Sequence, residues 1–426
     1  MYARLMTDME DYQDRGINPK HVEEWENSRR SPCAKDCWEA WDVDATLDDG
    51  SLLSVRLETK DGASLHSAND APVVRLVLVR GDGSKLCALR RFAAADCTWD
   101  AEALGVRCGE CMLDGTLRRI HVEATGLQVQ GNPGDGGDCA VEVSFDLAAS
   151  TRPVRPATGI LDTGRDGRRM LGWICPMPRA VLNGSLTVGG ETRAIAGTAR
   201  HAHAWGTVAP TRALNDWLFV THDLGERTVA LLDVTSSARS GFIRFPMVWV
   251  MNKRGNVIYS STTDTACTAR TIDWYDDPAT GRRFPHALSY AFRTPDGGTV
   301  RYELRGQEPA GDPCGIPCGT GAFGIARHSY VQACFLAAGT LSVTMPSETG
   351  DGPEAQHGQD DAEAENRAGR GAGEAGDEWN REDSYDGADL HMRTTVWTGQ
   401  THFGCALAGD SFDVEHSPQI LTEYAF

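Results

Sequence analysis

Near the middle of the chain, Gly197-Thr198-Ala199-Arg200-His201-Ala202-His203-Ala204-Trp205-Gly206 ends the stretch from Leu171 to Pro210. His201, His203 and Trp205 alternate, so on an extended strand all three project to one face. Two imidazoles in that position suit general acid and base work near pH 7, and an indole face can steady a developing cation. An imidazole is strong enough for proton abstraction next to a carbonyl or for a conjugated tautomerisation, but too weak an acid for an unactivated alkene. The alternative is that His201 and His203 only hydrogen-bond backbone or neighbouring strands at a domain junction. Trp205, Trp217, Arg200 and Trp173 are candidates to line a ligand site, against the plain alternative that large side chains fill a core.

The elements that must hold these residues read as strands. From Cys37 onward, runs of five to eight residues are punctuated by Gly, Asp and Asn, with Asp49-Gly50, Gly81 to Gly83, Gly189-Gly190, Arg254-Gly255-Asn256 and Asp296-Gly297-Gly298 at the turns. Within the runs apolar and polar residues alternate, as in Val55-Arg56-Leu57-Glu58 and Val141-Glu142-Val143-Ser144-Phe145, which predicts one buried and one wet face. No amphipathic helix of twelve or more residues appears between Trp38 and Met345, so the class is all-β, a barrel or sandwich. The first residues, Thr7 to Arg30, carry helical spacing at His21, Val22 and Trp25 broken by Gly16 and Pro19, which predicts short helices lying against the body. Ser347 to Asp386 lacks Val, Ile, Leu, Met and Phe and reads as a disordered acidic loop replacing a hairpin turn.

A length of 426 residues favours two domains. With 60 Asp and Glu against 41 Lys and Arg, a net charge of -19, the surface should repel phosphate backbones, so nucleic acid is not an expected partner. No stretch approaches the ~18 consecutive apolar residues of a membrane span, and the charged first thirty residues lack the pattern of a secretory signal, so a cytoplasmic location is expected. The thirteen cysteines are odd in number and scattered, and most should be reduced, buried thiols.

Other motifs carry less. Cys108-x-x-Cys111, Cys314-x-x-x-Cys318 and Cys33-x-x-x-Cys37 lack the settings of zinc or redox sites, and His201-x-His203 with His222 and Asp223 has no established metal geometry. No metal is expected. The glycine run Gly319 to Gly324 has no helix after it, which argues against a nucleotide site, and no cofactor is expected. Asp48-Asp49 and Asp276-Asp277 sit at turns, where acidic residues belong for local hydrogen bonding.

The segment from Gly197 to Gly206 resembles the motif of the carotenoid 1,2-hydratase (hydroxyneurosporene synthase) and AttH-like family, Gly-x-Gly-Tyr-His-Asp-His-Asn-Trp-Gly. Gly197, His201, His203, Trp205 and Gly206 match, whereas Ala199, Arg200, Ala202 and Ala204 replace the family's Gly, Tyr, Asp and Asn. The resemblance implies two tandem lipocalin-like antiparallel β-barrels behind a short helical N-terminal extension: residues 1–36 as the extension, 37–210 as the first domain, and 211–426 as the second with an acidic insertion at 347–386. It also implies a hydrophobic small-molecule partner, isoprenoid- or polyketide-like, and hydratase-, isomerase- or cyclase-type chemistry with His201 and His203 as acid or base. In the family the motif Asp looks like the proton donor, and Ala202 cannot donate, so if this chain hydrates alkenes the acid has moved. A non-catalytic binder or carrier of an apolar molecule is the competing expectation.

Overall fold

A computed structural model describes residues 2–61, 64–129, 140–164, 168–262, 267–278, 281–309, 314–316, 330–346 and 392–407. The acidic insertion, Cys318 and the glycine run lie outside the described residues.

Eight strands of the first half close on themselves. They are β1 (Trp38–Leu47), β2 (Leu52–Glu58), β3 (Val73–Val79), β4 (Lys85–Arg91), β5 (Arg119–Val129), β6 (Ala140–Ala149), β7 (Met170–Val188) and β8 (Glu191–Gly206). Each pairs antiparallel with the next, and β8 pairs with β1, which completes an up-and-down ring without free edges. The alternation read in the sequence sets the two faces. On β1, Glu39, Trp41, Val43, Ala45 and Leu47 point inward, while Asp42 and Asp44 point out. Their inward neighbours include Leu53, Val55, Leu76, Val122, Phe145 and Leu182, all nearly inaccessible to solvent.

Two prolines disturb the ring where the histidines sit. The β7 partner of His203 is Ile174, of His201 is Met177, and of Ala199 is Ala180, so β7 holds one extra residue at each step. Pro176 and Pro178 occupy those steps, and having no N–H to give the ladder they fit bulges.

The second half begins after α2 (Pro210–Ala213) with β9 (Leu214–Asp223), β10 (Arg227–Ser236), β11 (Arg244–Asn252) and β12 (Val257–Ser261). It continues with β13 (Cys267–Asp276), β14 (Arg283–Arg293), β15 (Thr299–Pro309), β16 (Tyr330–Pro346) and β17 (Met392–Leu407). The order β12-β11-β10-β9-β17-β16-β15-β14-β13 is a second antiparallel meander. Its β16 and β17 pair from Val331↔Leu407 to Pro346↔Met392, so the acidic insertion connects the two arms of a hairpin. Phe284, Tyr290, Phe292, Tyr302 and Phe335 fill this half.

The halves pack through β7, β9 and β10. Trp173, Val154 and Cys175 meet Phe219, Ala230, Leu232, Met247 and Trp249. Polar links flank this contact: Arg179 Nη2 lies 2.8 Å from Asp223 Oδ2, and Arg152 donates its N–H to the Gly255 carbonyl at 2.9 Å. Gly255 has φ 76°, and a Cβ there would stand 2.3 Å from the Ser150 carbonyl, so this approach needs glycine.

The extension is more than helical. Besides α1 (Met9–Arg15) and a 3-10 turn at Glu24–Asn27, Arg4–Leu5 pairs as a short strand with Ile160–Asp162. Met6, Ile17, Val22, Tyr12 and Trp25 pack against Leu117, Ile174 and Trp205, closing one end of the first barrel. A buried ion pair fastens it, Arg155 Nη1 to Glu26 Oε1 at 2.7 Å, with the same guanidinium donating to the His21 carbonyl at 3.1 Å. Burial pushes the Glu26 carboxyl up and Arg155 pulls it back.

Candidate functional site

The two faces of β8 present different chemistry. On the inward face, His201 and His203 are wholly buried and Trp205 nearly so. His203 stacks on Trp41, its partner across the ladder, with centroids 4.8 Å apart and planes at 8°. Trp205 lies 4.9 Å away on the other side, and Trp99 continues the stack beyond Trp41 at 5.5 Å. Gly172 makes room for the indole, since a Cβ there would fall 1.9 Å from Trp205 Cε2.

Glu39, which the sequence did not single out, completes this inner group. Its Oε1 sits 2.7 Å from His203 Nε2 and accepts the Arg30 N–H at 2.7 Å, while Oε2 accepts the Ser31 N–H and hydroxyl, both at 2.8 Å. With Glu39 accepting throughout, His203 Nε2 is the donor in this contact, and Nδ1 has no hydrogen-bond partner among the described residues. His201 has both nitrogens committed. Nδ1 donates to the Asp42 carbonyl at 3.0 Å and Nε2 accepts from Asn27 Nδ2 at 3.1 Å. Burial, the largest influence, pushes His201 down to about 3, so it is a neutral peg between barrel and extension.

The outward face looks to the second barrel. Arg200 pairs with Asp44 at 2.9 Å and stacks over Phe219 at 4.3 Å. Phe219 meets the edge of Trp173 at 5.0 Å, and Trp249 follows at 5.9 Å. Asp42 stands directly across the ladder from Ala202. Arg56 Nη1 reaches both of its oxygens, at 2.9 and 3.1 Å. The Asp42 carboxyl is nonetheless pushed up to about 6, first by burial and then by Asp44 and Glu58, against the pull of Arg56. A fifth of its side chain stays accessible (21%), which neither histidine offers.

Of the residues singled out from sequence, the structure therefore brings His201, His203 and Trp205 together inside and Arg200 with Trp173 outside. Trp217 joins neither group and packs at the joint with Leu171, Val208 and Leu214. His222 lies inside the second barrel, 3.1 Å from the Tyr302 hydroxyl and apart from His201 and His203. Among the described residues no three His, Cys, Asp or Glu side chains converge as a metal site. A depression of about 590 Å³ at the far end of β8, lined by the turn residues Asp49 and Asp82, by Arg193 and by the inward-facing Leu78 and Leu186, lies at the other end of the first barrel and includes no residue of either group.

The closed strand ring of the first half and the antiparallel meander of the second, both with inward apolar alternation, are those of two tandem lipocalin-like barrels. Solved structures share that fold. The chain is similar to a putative AttH from Nitrosomonas europaea, with a TM-score of 0.54, 12% identity, and coverage of 91% of this chain and 98% of that one. It is also similar to CghA, in its structure with Sch210972, with a TM-score of 0.50, 14% identity and coverage of 88% and 89%. No family model matches the sequence, and no curated protein is similar to it in sequence. Among the described residues no helix is long and apolar enough to cross a membrane.

Proposed function

We propose that the chain is an acid–base enzyme acting on a hydrophobic, isoprenoid- or polyketide-like small molecule at the outward face of β8, without a redox cofactor, and that Asp42 carries the proton. The observation behind it is the Asp42 carboxyl, at about 6 and accessible, set opposite Ala202. The motif resembled by Gly197 to Gly206 holds its acid at the Ala202 position, and the ladder register restores a carboxyl there from the neighbouring strand. A group that titrates near the working pH donates and recovers a proton efficiently.

In a hydration, Asp42 gives its proton to one carbon of an activated double bond, the oxygen of water bonds to the other carbon, and a proton of that water returns to Asp42. In an isomerisation or cyclisation Asp42 gives its proton to one carbon and its carboxylate then takes a proton from a neighbouring carbon, so the proton it gave is recovered and the mass is unchanged. Trp173 and Phe219, which meet edge to face at 5.0 Å on the outward side of β8, would give an apolar substrate its contact. His201 and His203, with Asn27 and Glu39, act as positioning residues that hold β8 and β1 in register behind Asp42.

A binder or carrier is the second possibility, favoured by one observation: Arg56 grips both Asp42 oxygens, as in a plain ion pair. Incubation of the full chain with an extract of apolar metabolites, followed by native mass spectrometry of what binds, separates the two. An enzyme returns the bound compound one water heavier or rearranged at constant mass, and Asp42→Asn binds it without converting it. Unchanged release by the native chain would leave a carrier.

A further inference from the structure

After β4 the first barrel makes an excursion through three short strands, Cys97–Trp99, Leu104–Cys108 and Cys111–Gly115, that bear three buried cysteines. Their register sets Cys97 opposite Cys108, and Cys108 opposite Cys111. Flanking hydrogen bonds fix the type of the first pair. Gly109 donates its N–H to the Asp96 carbonyl at 3.0 Å, and Asp100 donates to the Gly105 carbonyl at 2.8 Å, so 96/109 and 100/105 are hydrogen-bonded pairs. Pair types alternate along an antiparallel ladder, so Cys97/Cys108 is a non-hydrogen-bonded pair, the type with Cα atoms about 4.5 Å apart and side chains closest. A disulfide spans Cα separations of about 4.4–6.8 Å. The two thiols already sense each other, Cys108 drawing the ionisation of Cys97 down and Cys97 driving that of Cys108 up. Cys111 is otherwise engaged, donating to the Thr125 carbonyl at 3.5 Å and accepting the Thr125 N–H at 3.4 Å.

We propose that Cys97 and Cys108 are a reversible disulfide site, oxidised by exchange with a low-molecular-weight disulfide of the glutathione class. Cys97 is the more accessible thiol, 8% against 1%, and attacks first as the thiolate. Its sulfur bonds to one sulfur of the reagent, the reagent's S–S bond breaks, and the released thiolate takes up the proton that Cys97 lost. Cys108 then loses its proton and attacks the Cys97 sulfur, and the second reagent thiolate leaves and is protonated. Two protein thiols give up two electrons and one small disulfide becomes two thiols.

The crosslink would brace the closed end of the barrel. Trp99, two residues from Cys97, stacks on Trp41 and under the Arg29 guanidinium, and the Asp100 and Ala101 carbonyls accept the Arg29 N–H at 3.1 Å and the Ser28 hydroxyl at 2.8 Å.

The test treats the folded full chain with oxidised glutathione at mildly alkaline pH, unfolds it in alkylating reagent, digests it without reduction and maps crosslinked peptides by mass spectrometry. A Cys97–Cys108 peptide pair is expected, lost on reduction and in Cys97→Ser, and kept in Cys111→Ser. A Cys108–Cys111 crosslink that persists in Cys97→Ser overturns the proposal. So does recovery of Cys97 and Cys108 as alkylated thiols or as stable glutathione adducts from folded protein.

Discussion

Asp42 and Ala202 face each other across the β1–β8 ladder, so the outward face of the motif strand has a carboxyl beside it although its own side chain has none. A proton donor at that point must be lost when the carboxyl becomes an amide. Asp42→Asn is expected to cut turnover by about 10²–10⁴-fold while leaving ligand affinity within about tenfold, because general acid catalysis serves the transition state more than the ground state. Steady-state rates and a binding titration on the same preparation check it. Equal loss of binding would make Asp42 a ligand-positioning group.

The rate should also follow the Asp42 proton. With the carboxyl near 6, the protonated fraction falls about tenfold per unit above that pH, so a step needing the acid slows as pH rises from about 6 to 8. A pH–rate profile that stays flat over this window would take the donor role from Asp42.

Folding stability gives an independent reading of the same group. The folded carboxyl titrates near 6 and an unfolded Asp near 3.8, so between these values the folded state holds the proton that the unfolded chain has released. Native stability from this group therefore falls as pH rises through the window and levels off above it. Asp42→Asn lacks that loss, so its stability relative to the native chain should improve between about pH 4 and 6, measured by urea denaturation at each pH.

Alternation carried much of this protein in its sequence. The shared face of His201, His203 and Trp205, the inward set of β1 and the Gly189-Gly190 turn all follow from a period of two. Glu39 and Asp42 were hidden because their importance lies in register with β8, more than 150 positions away, which no local pattern fixes. One signal was present: Glu39 falls in the inward phase with Trp41, Val43, Ala45 and Leu47, and a charge in an apolar phase demands buried partners. Arg200 and Trp205 both suit a ligand site by residue type, but odd spacing sends Arg200 to the opposite face, where Trp173 meets it through Phe219.

Glu39 takes four hydrogen bonds where the extension closes the barrel. Glu39→Ala would strand the Arg30 and Ser31 amides, the Ser31 hydroxyl and His203 Nε2 in a buried space. A loss of about 3 kcal/mol or more is expected from such orphaned groups, with Glu39→Gln losing less because it keeps two acceptor positions. Equilibrium denaturation of both variants checks the order.

His201 should make the fold sensitive to acid. Burial holds it at about 3, whereas a histidine of the unfolded chain titrates near 6.5. Below about 6.5 the unfolded chain accepts a proton that the folded chain refuses, so stability drains as pH falls from there toward 3. His201→Gln can keep a contact to Asn27 but has no such titration. Its denaturation midpoint should lie below that of the native chain at neutral pH, and the gap should narrow as pH falls to about 4.5. A gap that stays constant would mean that His201 takes its proton in the folded state as readily as in the unfolded one, and that the peg between Asp42 and Asn27 is not held neutral.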